Sequence, residues 1–197
     1  MSLYSVGKVF VKAYFKSLYR LEVIGAENFS GISDEQGILL CSNHVSLLDP
    51  PAVGCASPRE LSFMAKAELF KIPLFNRLIT TLNAFPIKRG QSDRASLKTA
   101  VHILNQGKTL IMFPEGTRSK DGTIGEGKPG AGFLALRTDA VIIPVAVIGR
   151  YKLFRKMKIA FGAPVDLSEL RERRAKANEV PEIIMNHIKE VYDKYKN

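Results

Sequence analysis

Uncharged runs are short throughout this 197-residue chain. The longest, Gln36 to Leu48, is thirteen residues and carries Asn43 and His44. A helix crossing a bilayer needs about 20 consecutive apolar residues, so no such span is expected. Cysteine is nearly absent. Cys41 and Cys55 are the only two, a usage that suits a reducing compartment and makes each a small core residue rather than half of a disulfide. Acid is missing from two long segments, residues 1–21 and 140–165, and the net charge is +10. An anionic partner follows, which could be nucleic acid, an anionic membrane, or a phosphorylated or acidic substrate. What is present is ordinary: 46% hydrophobic and 24% charged residues exclude the disordered and collagen-like classes, and the length fits one domain with a sizeable core.

In the first acid-free segment Lys8, Lys12, Lys16 and Arg20 recur every four residues, which stacks them along one side of a helix. Val9, Phe10, Ala13, Tyr14, Leu18 and Tyr19 cover much of the remainder. Lysines interrupt every apolar run, so the unbroken apolar core of a signal peptide is missing. The pattern predicts a basic amphipathic helix over residues 1–20 lying in a membrane interface, with residues 21–197 as the folded domain. A surface helix docked on the core is the alternative.

The chain is organised around Asn43-His44-Val45-Ser46-Leu47-Leu48-Asp49-Pro50. The apolar run 37–42 before it reads as a buried strand, and Asp49-Pro50-Pro51 reads as a helix start with proline at the first helical position. His44 therefore stands at a strand-to-helix junction. Residues five apart point about 140° from each other on a continuous helix, so His44 and Asp49 meet only if a turn folds the chain back between them. Asp49 would then accept a hydrogen bond from one imidazole nitrogen, fix the tautomer and leave the other free to take a proton. No side chain is an obvious covalent nucleophile, so that proton would come from a substrate. The structural alternative is Asp49 as a helix cap and His44 as an ordinary loop histidine.

Further strands are expected at residues 21–24, 60–65, 84–90, 108–114, 141–148 and 159–161. Helices are expected near 73–82, from a Ser92 cap to Gln106 with Gly107 as its stop, at 131–137, and twice at the C-terminus, separated near Pro181. Strands alternating with helices predict an α/β fold: a single three-layer domain with a mixed, largely parallel sheet flanked by helices. The charged clusters each follow a strand, where such sheets deliver side chains to a ligand. Lys88 and Arg89 end one strand, and Glu115-Gly116-Thr117-Arg118-Ser119 follows another. After a third, Arg150, Lys152, Arg155, Lys156 and Lys158 alternate with Tyr151, Leu153, Phe154 and Met157. Such interleaving suits single-stranded nucleic acid, anionic lipid, a cofactor phosphate, or simply an exposed hairpin. Gly125 to Gly130 matches a dinucleotide fingerprint, but no strand directly precedes it and no acid follows about 20 residues on. Gly122 to Lys128 resembles a phosphate-binding loop, but Pro129 stands where the magnesium-binding hydroxyl belongs. Neither nucleotide site is expected. His102 and His187 have no evident functional partner.

Taken in order, these blocks resemble the glycerolipid acyltransferases, a family typified by bacterial enzymes that acylate 1-acyl-sn-glycerol-3-phosphate. Asn43-His44-x-Ser46-x-x-Asp49 is similar to the family's N-H-x-S-x-x-D block, and Phe113 to Ser119 is similar to F-P-E-G-T-R-S. Phe85 to Arg89 falls where the family has a block ending in arginine, with Lys88 departing from the residue often found there. Ile143-Pro144-Val145 looks like the last, proline-centred block. The likeness runs from about Arg20 to Phe161.

The resemblance implies a glycerol-3-phosphate acyltransferase-like domain in which His44, held by Asp49, takes the proton from the sn-2 hydroxyl of a lysophosphatidate. That hydroxyl would attack an acyl thioester directly, with no acyl-enzyme. Arg89 and Arg118 would bind the acceptor phosphate beside Lys88 and Thr117, Glu115 and Gly116 would shape the loop, and Ile143, Pro144 and Val145 would line the acyl pocket. No metal and no cofactor is implied beyond acyl-CoA or acyl-carrier protein as donor. The other partners would be a lysophospholipid and an anionic membrane surface, not nucleic acid, with peripheral attachment at the cytoplasmic face of the cell membrane. A different acceptor, or a non-catalytic basic module binding anionic lipid or nucleic acid, is the alternative.

Overall fold

The run Ile38–Ser42 is buried at every residue, and it sits in the middle of the sheet. The structure is a computed structural model that describes residues 3–87 and 93–197. In chain order the elements are α1 (Leu3–Tyr19), β1 (Glu22–Ile24), β2 (Ile38–Ser42), α2 (Asp49–Ala56), β3 (Leu61–Lys66), α3 (Pro73–Thr81), β4 (Ala84–Ile87) and α4 (Arg94–Asn105). They continue with β5 (Thr109–Met112), α5 (Pro129–Arg137), β6 (Val141–Ile148), β7 (Lys158–Phe161), α6 (Ser168–Glu172) and α7 (Val180–Tyr195). The strands form one sheet in the order β1-β7-β6-β2-β5-β3-β4. Strands β6, β2, β5, β3 and β4 are parallel neighbours. Strand β7 turns back antiparallel to β6, and β1 follows β7. This is the mixed, largely parallel α/β sheet that the alternating pattern predicts.

Two core layers cover the sheet. On one face Ile38, Leu40, Ile143, Val145 and Val147 pack with Phe15 and Tyr19 of α1 and Ala52 and Val53 of α2. On the other, Leu39, Cys41, Leu110 and Ile142 pack with α4, α5 and α7 through Leu104, Leu134, Ile184 and Ile188. Helices thus occupy both faces, and the period-two alternation of β2 and β6 supplies both layers. Each fully buried aliphatic or aromatic side chain contributes about 1.5–3 kcal/mol.

Helix α1 is docked on the body of the protein. Phe15 is 1% exposed, and Tyr4 accepts the Leu61 backbone N–H on its hydroxyl at 2.9 Å. Lys8 does not belong to an outward basic stripe: it donates to the Ser57 carbonyl at 2.6 Å, and burial lowers its pKa. Arg20 lies past the helix end with φ 44°. The outward face instead carries Val6, Val9, Phe10 and Tyr14, with Lys12 and Lys16 also exposed. One face of the helix is thus docked on the body and the opposite face is exposed. Among the described residues, no helix is long and apolar enough to cross a membrane.

Two expected boundaries differ. Ser92 lies outside the described residues, and Asp93 caps α4 by accepting the Ser96 N–H at 3.1 Å. Pro181 sits in the first turn of α7 rather than between helices, since its missing N–H has no intrahelical partner to lose there.

Candidate active site

The parallel strands β2, β5 and β6 end at the same edge of the sheet, and the loops that leave them meet there. The first residue past β2, Asn43, extends the pairing with its side chain. Its amide nitrogen donates to the Val147 carbonyl at 3.1 Å, and its amide oxygen accepts the Val147 N–H at 2.8 Å. The side-chain amide thus replaces a peptide unit and releases the backbone at His44 to leave the sheet.

His44 and Asp49 meet. Nδ1 of His44 lies 2.7 Å from Asp49 Oδ2, and the same oxygen accepts the N–H groups of Val45 and Ser46, each at 2.7 Å. Asp49 is therefore no ordinary helix cap. Its carboxylate points back into the loop that precedes α2, and this is the fold-back that residues five apart require. Asp49 is fully buried, and His44 is 5% exposed. The imidazole stacks on Phe113 at 4.0 Å between ring centres, which fixes its plane. Among the described residues Nε2 makes no hydrogen bond. In the neutral imidazole, an Nδ1–H that donates to the carboxylate leaves the lone pair on Nε2, at the far edge of the ring.

Tyr151, just past β6, completes the carboxylate. Its hydroxyl donates to Asp49 Oδ1 at 2.8 Å. Burial first, and then the Asp49 charge, push the phenol well above its ordinary pKa, so it stays a donor. The basic-aromatic pattern of residues 150–158 did not single out Tyr151, because its partner lies far away in sequence.

The Glu115 loop is a brace. Glu115 is buried; Oε1 accepts the His44 N–H at 2.9 Å, and Oε2 accepts the Gly125 N–H at 3.2 Å. Ser119 N–H donates to the His44 carbonyl at 2.7 Å, so this loop holds both backbone polar groups of His44. Gly116 has φ 70°, a conformation that suits glycine and turns the loop outward. The turn places Thr117 and Arg118 in solvent. Among the described residues the Arg118 guanidinium has no partner. Farther along, Asp121 accepts from Thr123 and Ser119, which holds its pKa down at about 2 and pins the tip.

The structure does not bring every expected residue together. Lys88 and Arg89 lie outside the described residues, although β4 before them ends at the same edge as β3. Ile143, Pro144 and Val145 sit in mid-strand opposite Leu40, Cys41 and Ser42. Ile143 and Val145 are fully buried in the core, and Pro144 lines a groove of about 360 Å³ that also has Phe161, His187 and Val191 on its walls. The hydrogen bonds that join this part of the chain to the site come from Val147, near the carboxyl end of β6, and from Tyr151 just past it. Cys41 is fully buried, and desolvation raises its thiol to about 12, so it offers no thiolate. Among the described residues no three His, Cys, Asp or Glu side chains gather as a metal-binding set.

Comparison with known proteins agrees with this geometry. A model of the Acyltransferase family matches residues 20–148. The 1-acyl-sn-glycerol-3-phosphate acyltransferase of Bacillus subtilis is 28% identical over 176 residues, which cover 85% of this chain and 87% of that protein. The chloroplastic enzyme of the same name from Arabidopsis thaliana is 29% identical over 150 residues, 75% of this chain, but the chain spans only 41% of its length. The crystal structure of the 1-acyl-sn-glycerophosphate (LPA) acyltransferase PlsC from Thermotoga maritima superposes with a TM-score of 0.75 at 29% identity, over 95% of this chain and 79% of that one. Since the family match spans β1 through β6, with both His44 and Arg118 inside it, the chain belongs to the Acyltransferase family.

Proposed function

We propose that the protein transfers an acyl group from a thioester, acyl-CoA or acyl-carrier protein, to the sn-2 hydroxyl of 1-acyl-sn-glycerol-3-phosphate, forming phosphatidic acid. The observation that carries this reading is His44 held through Nδ1 at 2.7 Å by a buried carboxylate, with Nε2 free at the strand edge. Nε2 takes the hydroxyl proton as the oxygen attacks the thioester carbonyl. The tetrahedral adduct then expels the thiolate, which recovers the proton from the imidazolium. Asp49 stabilises that imidazolium and stays ionised throughout. General-base assistance of this kind contributes roughly 10²- to 10⁴-fold.

Arg118 supports a phosphate-bearing acceptor, because an exposed guanidinium without a protein partner is free to bind an oxyanion bidentately. Arg89 and Lys88 are assigned the same task from their block, and Thr117 is assigned the rim of that site. The outward apolar stripe of α1, with Lys12 and Lys16, suits peripheral contact with an anionic membrane at the cytoplasmic face.

Purified protein assayed for thiol release with both donors against lysophosphatidate, glycerol-3-phosphate and other lysolipids tests the proposal. Lysophosphatidate is expected to be the preferred acceptor. Preference for another acceptor would reassign the substrate and keep the chemistry, whereas no thiol release with any pair would leave a non-catalytic lipid-binding module.

A further inference from the structure

The family match ends at residue 148, and three residues later Tyr151 reaches back to the His44–Asp49 pair. We propose that Tyr151 is a positioning residue for acyl transfer: its hydroxyl holds Asp49 so that Asp49 can hold His44. This inference rests on the reading of His44 as the base.

The geometry assigns each oxygen of Asp49 a separate task. Oδ2 is shared by His44 Nδ1 and the N–H groups of Val45 and Ser46, all at 2.7 Å. Oδ1 accepts the Tyr151 hydroxyl at 2.8 Å. Without that donor one oxygen of a fully buried carboxylate would have no hydrogen-bond partner among the described residues, and the carboxylate plane would lose its second anchor. The Ser46 hydroxyl makes its bond elsewhere, accepting the Leu48 N–H at 3.2 Å within its own loop.

Tyr151 is in turn held from the far side. Its ring stands edge-on to Phe15 at 6.2 Å and to Tyr19 at 5.6 Å between centres, both on α1. The backbone of the same loop is pinned to that helix end, with Met157 N–H donating to the Tyr19 carbonyl at 3.1 Å and Phe154 N–H to the Leu18 carbonyl at 2.6 Å. A ring packed against two α1 side chains and a hydroxyl aimed at one carboxylate oxygen leave the bond little freedom. That lack of freedom separates a positioning contact from an incidental one.

The test compares full-length wild type, Tyr151→Phe, Asp49→Asn and the double variant. Phenylalanine keeps the ring contacts with α1 and removes only the donor. The expected result is a kcat lower by about 10- to 100-fold, the span for losing one hydrogen bond to a charged group, with the KM of donor and acceptor unchanged. In the Asp49→Asn background the same replacement should cost less, because the effect runs through Asp49. An undiminished loss there, a loss in KM alone, or wild-type kcat in Tyr151→Phe overturns the proposal.

A second readout needs no turnover. In nitrogen-15 spectra of the imidazole, wild-type His44 should show Nδ1–H hydrogen-bonded to carboxylate, and Tyr151→Phe should move both ring signals. Unmoved signals would also overturn the proposal. Should Tyr151→Phe fail to fold, 3-fluorotyrosine at 151 keeps ring and hydroxyl, alters the donor strength and is read the same way. An inactive wild type whose His44 signals still depend on Tyr151 would sink the proposed function and leave the positioning intact.

Discussion

Glu115 serves His44 through the backbone, with Oε1 accepting the His44 N–H at 2.9 Å while Oε2 holds Gly125. Two loops that leave different strands are joined by one buried carboxylate. Glu115→Ala would leave the buried His44 N–H without a partner, at about 1–3 kcal/mol. The expected outcome is a lower unfolding midpoint together with reduced kcat. If denaturant titration gave wild-type stability, Glu115 would be free to act on substrate instead.

Replacing the base separates chemistry from folding. His44→Ala should lower turnover by roughly 10²- to 10⁴-fold. The fold should survive, because alanine keeps the His44 N–H and carbonyl that tie the two loops together. Asp49→Asn should cost activity and stability together, since an uncharged amide must replace a carboxylate that accepts four hydrogen bonds. Steady-state rates beside thermal melts would read both, and mass spectrometry of enzyme quenched during turnover should find no acyl adduct. An adduct would defeat direct transfer and direct attention to Ser46.

Arg118→Ala should reduce kcat/KM for the acceptor by about 10- to 100-fold, the worth of one charge-assisted hydrogen bond, and leave thioester affinity alone. Acceptor chain-length preference should persist, because it rests on apolar burial at about 0.8 kcal/mol per methylene, which the arginine does not touch. Kinetics with each substrate varied in turn would decide. A rise confined to the donor KM would assign Arg118 to the phosphates of coenzyme A.

The outer and inner faces of α1 should respond differently to mutation. Phe10→Asp alters a side chain that is 72% exposed, so it should weaken co-sedimentation with anionic vesicles and spare turnover of short-chain, water-soluble substrates. Phe15→Ala hollows the core and should cost about 3–5 kcal/mol. Deleting α1 should therefore impair catalysis along with membrane binding. Full activity of the truncated protein on soluble substrates would show that the helix is dispensable to the core.

The site was legible in the sequence where its partners are near neighbours and opaque where they are not. His44 and Asp49 share one turn, so spacing alone posed the question of their contact. Each buried strand also announced itself as an apolar run. Tyr151 lies 102 residues from Asp49, and its neighbours made it look like one aromatic among several in a basic loop. Glu115 was visible as a residue of interest, but its two partners are backbone amides, which carry no side-chain signature. Ile143 to Val145 were singled out by likeness to the family's proline-centred block, and they stand in mid-strand, short of the end that carries the site. Lys8 looked like part of a charged stripe because helical spacing does not tell which side meets the body. A carbonyl at Ser57 decides it.

The edge-on rings of Phe15 and Tyr19 against Tyr151 make α1 part of the rigid body rather than a tether. A helix that peeled away to reach a bilayer would dismantle the packing around Tyr151, so any lipid surface must be met by the whole molecule at once. Because the stripe of Val9 and Phe10 is fixed relative to His44, the height and tilt of the reactive edge above such a surface are set by the fold.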